Sequence, residues 1–249
     1  MTPTVAIIIT TLFRDKLLYK TLQSIVDNLP NNCIVLIGDQ NSSEEKLGKL
    51  NNNETVFYYG LPFDCGAYYS RNFLVKKANE INISYCLISA DSIQFIQSYD
   101  FNPIIKFLAH QEKIALVGFE LDGSKCPWEY NMELTPQAIK FSYSDDWIEF
   151  NHIKFLKIDI CRNIYLAKTK ALLDSPYDED LKLGGHELNF WNLKQKGWKC
   201  YWTAYYSFKR ESDMPKEYVP YRNRWGNYLE LAKQKLGIKG WVIYPPKRT

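Results

Sequence analysis

Residues 4–39 read TVAIIITTLFRDKLLYKTLQSIVDNLPNNCIVLIGD, and the succession of patterns inside this stretch decides the fold. TVAIIITT (4–11) is an unbroken run rich in β-branched residues, short and without a basic segment before it. It reads as a buried strand and not as a signal peptide. Leu18, Leu22, Ile25, Val26 and Leu29 then recur at helical spacing, and Pro30 closes the helix. CIVLIGD (33–39) is a second buried strand. Strand, helix and strand in that order imply a right-handed crossover between parallel neighbours.

The alternation continues outward. After a polar loop, QNSSEEK, come a short strand, TVFYYG (55–60), a helix over 67–81 and a strand, SYCLIS (84–89). FNPIIKFLAHQ predicts a helix and IALVGFEL (114–121) a strand. The fold class is therefore α/β, a mostly parallel central sheet flanked by helices, in which ligands gather at the carboxyl ends of the strands. Residues 122–160 mix short strands and loops with aromatics: Trp128, Tyr130, Phe141, Tyr143, Trp147, Phe150 and Phe155. NIYLAKTKALL (163–173), HELNFWNLKQKG (186–197) and YRNRWGNYLELAKQKLG (221–237) read as helices, and WKCYWTAYYSF (198–208) as a strand. With no repeat, linker or low-complexity tract, 1–208 is expected to form one domain. Residues 209–249 are expected to pack on it as a basic, aromatic, helical extension.

Composition narrows the function classes. The 249-residue chain is 46% hydrophobic and 24% charged, as in ordinary globular proteins. No apolar run approaches the roughly 20 residues of a membrane span. The six cysteines are scattered without a CxxC pair, which argues against a disulfide framework or structural zinc and for a cytoplasmic location. Net charge is only +3, yet residues 199–249 hold 11 Lys and Arg against 4 Asp and Glu, while residues 1–198 hold 20 against 24. A basic tail interleaved with aromatics suits a phosphate group, a nucleic-acid backbone or an acidic lipid; a solvated helix face has the same signature.

Four clusters carry candidate chemistry. TTLFRD (10–15) follows the first strand and Asp39 ends the second. A carboxylate on that rim can accept the imide N–H of uracil while Thr10 and Thr11 supply hydroxyls, although both residue types also favour turns. In GAYYSRN (66–72), Gly66 opens a helix whose first amides, with Arg71, suit a diphosphate. Asp91, in YCLISADSIQF (85–95), ends a buried strand, where it can hold a hard divalent cation or simply cap a turn. In LGGHELNFW (183–191), Glu187 falls in a first helical turn beside His186, where it can act as a general base in a cleft or simply answer the helix dipole.

The order of these clusters resembles nucleotide-sugar glycosyltransferases of the GT-A fold, in the family-two-like branch, above all β-1,4-N-acetylgalactosaminyltransferases. IIITTLFRDKLLYKTLQSI, VLIGDQNSS, GAYYSRN, LISADSIQF and RNIYLAKTKALLDSPYDEDLKLGGHELNFWNLKQKGWK carry the likeness, over about residues 4–208. It implies Asp39 as the uracil acid, Arg71 as a donor-site residue and Asp91 as the last acid of a DxD motif holding Mn or Mg. It further implies Asn163 as a sugar contact and Glu187 as the base, with Thr10, Thr11, Arg14, Gly66 and His186 on the donor side. Two positions depart. Ser89 stands where the first DxD acid would be, and YYSFKRES lacks the family's histidine, leaving Ser207, Lys209 or Arg210 to face phosphate or acceptor.

The expectation is an inverting transfer of a sugar from a UDP-sugar to an acceptor hydroxyl, either of a glycan or lipid-linked sugar or of a hydroxymethylated base in DNA. In the DNA reading the tail lies on phosphates and the 122–160 aromatics stack the flipped base. A non-catalytic nucleotide- or nucleic-acid-binding protein of degenerate fold, or a nucleotidyltransferase, are the competing classes.

Overall fold

The computed structural model describes residues 4–28, 32–51, 54–123 and 130–245. Leu29, Pro30 and Trp128 lie outside them. The predicted crossover opens the chain: β1 (Val5–Thr11), α1 (Asp15–Asn28) and β2 (Cys33–Asp39). There follow α2 (Glu44–Leu50), β3 (Val56–Gly60), α3 (Ala67–Glu80), β4 (Tyr85–Ile88), β5 (Ile93–Gln94), α4 (Asn102–His110) and β6 (Ile114–Leu121). The second half comprises β7 (Tyr130–Leu134), β8 (Ile139–Tyr143), β9 (Trp147–Phe150), β10 (Ile153–Ile158), β11 (Tyr165–Lys168), α5 (Thr169–Asp174), α6 (His186–Gln195) and β12 (Lys199–Arg210). The chain ends in α7 (Val219–Arg222), α8 (Trp225–Leu236) and β13 (Val242–Ile243).

One large sheet runs β3-β2-β1-β4-β11-β6-β12-β10-β9, with β5 paired to β12. β3, β2, β1 and β4 are parallel neighbours, and β11 alone interrupts before β6 and β12, themselves a parallel pair. β1 is buried on both faces because its alternate residues feed two cores. Ala6 and Ile8 pack with Leu74 and Val75 of α3, Leu172 of α5 and Phe190 of α6. Val5, Ile7 and Ile9 pack with Leu18 and Ile25 of α1 and Phe107 of α4. The expected α/β sheet with helices on both faces is thus present.

Three local expectations are corrected. The apolar start of 163–173 is strand β11, with Tyr165, Leu166 and Ala167 fully buried between β4 and β6. An apolar run buried all round does not show which period it obeys. The polar loop after β2 contains α2, started by Ser43, whose side chain accepts from the Lys46 amide at 3.2 Å. The C-terminal helix is broken into α7 and α8, and α8 stops at Gly237 in the left-handed region. Unforeseen altogether is a second sheet, β13-β8-β7, which ties the end of the chain to its middle.

Candidate active site

The carboxyl ends of β1 and β4, the starts of α3 and α6 and the segment from β12 to α8 enclose a cavity of about 810 Å³. Thr10, Thr11, Arg14, Gly66, Arg71, Asp91, Asn163, His186, Glu187 and Arg210 all line it, from positions scattered over two hundred residues of sequence. Asp39 and Lys209 are not on its wall.

Asp91 is only 2% exposed. Its Oδ1 lies 2.9 Å from Arg14 Nη1, its Oδ2 accepts from Thr11 Oγ1 at 2.9 Å, and its main-chain carbonyl accepts from Thr21 Oγ1 at 2.8 Å. Burial pushes the carboxyl up to about 6, against the pull of the Arg14 guanidinium. The acid at the end of β4 thus holds together the turn that follows β1. A resident divalent cation on Asp91, as the resemblance implies, does not fit these residues. Both carboxylate oxygens are engaged, and Ser89 is fully buried and off the wall. Among the described residues no group of three His, Cys, Asp or Glu converges as a ligand set.

Asp39 sits behind the wall, fully buried. It accepts from the Asn41 amide at 2.7 Å, from Tyr58 Oη at 2.7 Å and from Lys46 Nζ at 3.1 Å. Its neighbour Gln40 is on the wall instead. A uracil contact by Asp39 requires these bonds to yield. Lys46 comes from α2, whose polar sequence reads as a loop, so nothing in the chain points to the engagement of Asp39.

Gly66 opens α3 with φ 91°, and a Cβ there would lie 2.8 Å from the Lys182 backbone, so glycine is required. Its amide donates to Gln40 Oε1 at 2.8 Å and the Ala67 amide to the Lys182 carbonyl at 3.3 Å. These two donors, expected to be free for phosphate, are spent internally. Arg71 is 5% exposed and lies beside the stacked rings of Tyr68 and Tyr177, 5.9 and 5.3 Å from their centroids, with Nη1 3.2 Å from Asn163 Oδ1. Arg71 and Asn163, expected separately, form one unit.

Glu187 stands in the first turn of α6, where the helix dipole favours a carboxylate by about 0.3–1 kcal/mol. Burial outweighs that and pushes it up to about 7. Among the described residues no other side chain hydrogen-bonds to it. His186 Nε2 lies 2.7 Å from the Cys161 carbonyl, which can only accept, so this nitrogen carries the proton. Burial pushes the imidazole down to about 4, leaving it neutral at pH 7.

The tail supplies a roof that sequence reasoning missed. Arg224 forks onto Asp64 at 2.6 and 2.9 Å, and Lys182 meets the same carboxylate at 2.9 Å. Tyr221 packs against Phe13 and Phe63 with ring centroids 5.5 and 5.7 Å away, and Tyr218 lies 5.4 Å from the Arg14 guanidinium. Lys235 is likewise spent on Asp178 and Asp180. Arg224 and Lys235 therefore spend their charge docking the tail to the acidic body. Arg210 reaches the cavity while paired with Asp122 at 3.2 Å, and Lys209 is exposed on the β5 edge. Of the described 122–160 aromatics, Tyr130, Phe141 and Phe155 are buried, Phe155 stacking on Phe107, whereas Trp147 is 50% exposed.

No protein-family model matches the sequence, and no curated protein does either. Solved structures do. TarS 1–349 of S. aureus in complex with UDP superposes with a TM-score of 0.60 at 14% identity, over 96% of this chain and 76% of that one. The same protein in complex with UDP-GlcNAc gives 0.59 at 13%, over 95% and 70%. GalNAc-T7 with UDP, GalNAc and Mn2+ gives 0.65 at 12%, over 93% and 50%. A longer TarS structure is covered over only 37% of its length. No helix among the described residues is long and apolar enough to cross a membrane. The order of strands, the cavity at their carboxyl ends and these superpositions agree: the chain has the GT-A fold of nucleotide-sugar glycosyltransferases.

Proposed function

We propose that the protein transfers a sugar from a UDP-sugar to an acceptor hydroxyl with inversion at the anomeric carbon. The observation that carries this reading is Glu187, a buried carboxyl poised near neutrality that opens onto the same cavity as Arg14, Arg71 and Asn163. About 810 Å³ suits a nucleotide sugar, since ligand cavities typically measure roughly 300–1,000 Å³. The ionised Glu187 takes the proton of the acceptor hydroxyl as its oxygen bonds to the anomeric carbon. The bond from that carbon to the diphosphate breaks, and UDP leaves with the electron pair. Arg71, braced by two tyrosine rings and Asn163, is placed to hold the donor, and neutral His186 offers a ring nitrogen to a sugar hydroxyl. Asp39 and Gln40 mark the end of the site where the uracil edge would lie.

The acceptor we propose is a glycan hydroxyl. Trp225, 42% exposed and on the cavity wall, is a surface for the apolar face of a sugar. The burial of Tyr130, Phe141 and Phe155 leaves fewer rings to stack a flipped base, which favours the glycan over DNA. Residues 209–245 belong to the same working unit as residues 4–208, because Arg224 and Lys235 bind the body and β13 joins β8.

The test is UDP release from a panel of UDP-sugars, with oligosaccharides or hydroxymethylated DNA as acceptor, compared with Glu187→Gln. Release by the native protein with an oligosaccharide, lost in the variant while UDP still binds, is the expected result. Turnover unchanged by Glu187→Gln overturns the assignment of the base, and transfer to DNA alone overturns the acceptor.

A further inference from the structure

The end of β4 raises a question that the proposed function leaves open: what neutralises the diphosphate as it departs? A divalent ion needs oxygen ligands at about 2.0–2.6 Å, from one or two carboxylates besides the phosphates and water. Asp15 and Asp39 near this rim both pair with Lys46, which leaves Ser89, Glu211 and Asp91. Ser89 is fully buried off the cavity wall, and its hydroxyl is without a hydrogen-bond partner. Glu211 is on the wall, but its carboxylate is drawn to Lys20 at 2.8 Å. Asp91 is on the wall, with Oδ1 on Arg14 at 2.9 Å and Oδ2 on Thr11 at 2.9 Å. A dication on Asp91 would have to displace the guanidinium or lie against it, and like charges repel strongly at a buried site.

The guanidinium is built in as firmly as a bound ion would be. Arg14 leaves β1 through the turn that Thr11 ties to Asp91, and Tyr218 of the roof packs over it. Its side chain is 16% exposed, facing the cavity, and its Nε is buried without a hydrogen-bond partner. An arginine has five N–H donors in a rigid fork, so one nitrogen anchored on a carboxylate leaves others aimed at an anion. The described wall as a whole carries seven Lys and Arg against four Asp and Glu, an excess that can receive an anion.

We propose that Arg14, held in place by Asp91, is the phosphate-binding cation of this site, and that donor binding proceeds without a divalent metal. The proposal rests on the nucleotide-sugar reading above. Asp91 is then a positioning residue: it fixes the guanidinium and limits its freedom before substrate arrives.

The experiment is calorimetric binding of UDP and of uridine, in excess EDTA and in excess manganese chloride, to the native protein and to Arg14→Met and Arg14→Lys. UDP should bind the native protein equally in EDTA and in manganese. Arg14→Met should weaken UDP by about 10- to 100-fold, the scale of a lost charge-assisted hydrogen bond, and leave uridine unaffected. Arg14→Lys should fall between them. Uridine binding guards against a variant that has merely unfolded. UDP binding that requires manganese, or that Arg14→Met does not weaken, overturns the role of Arg14 while leaving the nucleotide-sugar reading intact. A native protein that binds UDP in neither condition overturns both.

Discussion

Replacing Glu187 with glutamine should inactivate the protein and make it more stable, by an amount that depends on pH. The carboxyl is 7% exposed, and burial moves it from 4.5 to about 7. A group whose folded pKa is raised binds its proton more tightly in the folded state, so stability falls as pH rises from its unfolded to its folded pKa. With about 1.36 kcal/mol for each tenfold change in proton affinity, ionised Glu187 costs the fold about 3 kcal/mol above pH 8 and about 1 kcal/mol at pH 5. Glutamine keeps the shape and carries no charge, so it removes that cost. For a chain of this length about 3 kcal/mol corresponds to roughly 6–12 °C in Tm. Urea denaturation of both proteins at pH 5 and pH 8 measures the difference directly. A gain that grows with pH, together with loss of sugar transfer, is the signature of a buried base kept for function. Equal stability of the two proteins at both pH values refutes the desolvation of Glu187, and with it the poised base.

The same carboxyl should set the pH dependence of the proposed transfer. The rate should rise tenfold per pH unit on the acid side and level off above about 7, with no change of slope near the His186 value of about 4; a profile flat from pH 5 to 8 excludes Glu187 as the base. Burial raises the Asp64 carboxyl, but Arg224 and Lys182 outweigh burial and hold it below its ordinary value. The contact between Asp64 and the roof therefore has full strength through the neutral range and weakens only as pH falls through that lowered value. Arg224→Ala should expose residues 209–245 to trypsin and loosen UDP at pH 7, and an unchanged digestion pattern would show that the roof is held otherwise. Gly66→Ala should destabilise the protein by roughly 1–3 kcal/mol, since the added methyl meets the Lys182 backbone at a φ that alanine resists; a urea midpoint equal to that of the native protein would refute this.

Part of this architecture is legible in the chain itself. The β-branched run of 4–11, the helical spacing of Leu18, Leu22 and Ile25 and the second run at 33–39 specify a crossover because burial on both faces of a sheet demands continuous apolar residues. Asp91 and Glu187 can be singled out because an acid ending a buried strand, or opening an apolar helix, calls for a reason. β11 cannot be separated from the helix that follows it, since residues buried all round carry no period. α2 is hidden by its polarity and is recognised only by the Ser43 cap. Arg14 stands out for its place after β1, with nothing to indicate its partner.

Short-range pattern along one chain is enough to specify the α/β order of elements, the rim on which polar residues gather and the identity of the buried acids. Which charges meet is settled by folding in three dimensions: Asp91 with Arg14, Asp39 with Lys46, and Asp64 with Arg224 across 160 residues. An ion pair depends on distance and burial in space, and neither is written in the spacing along the chain.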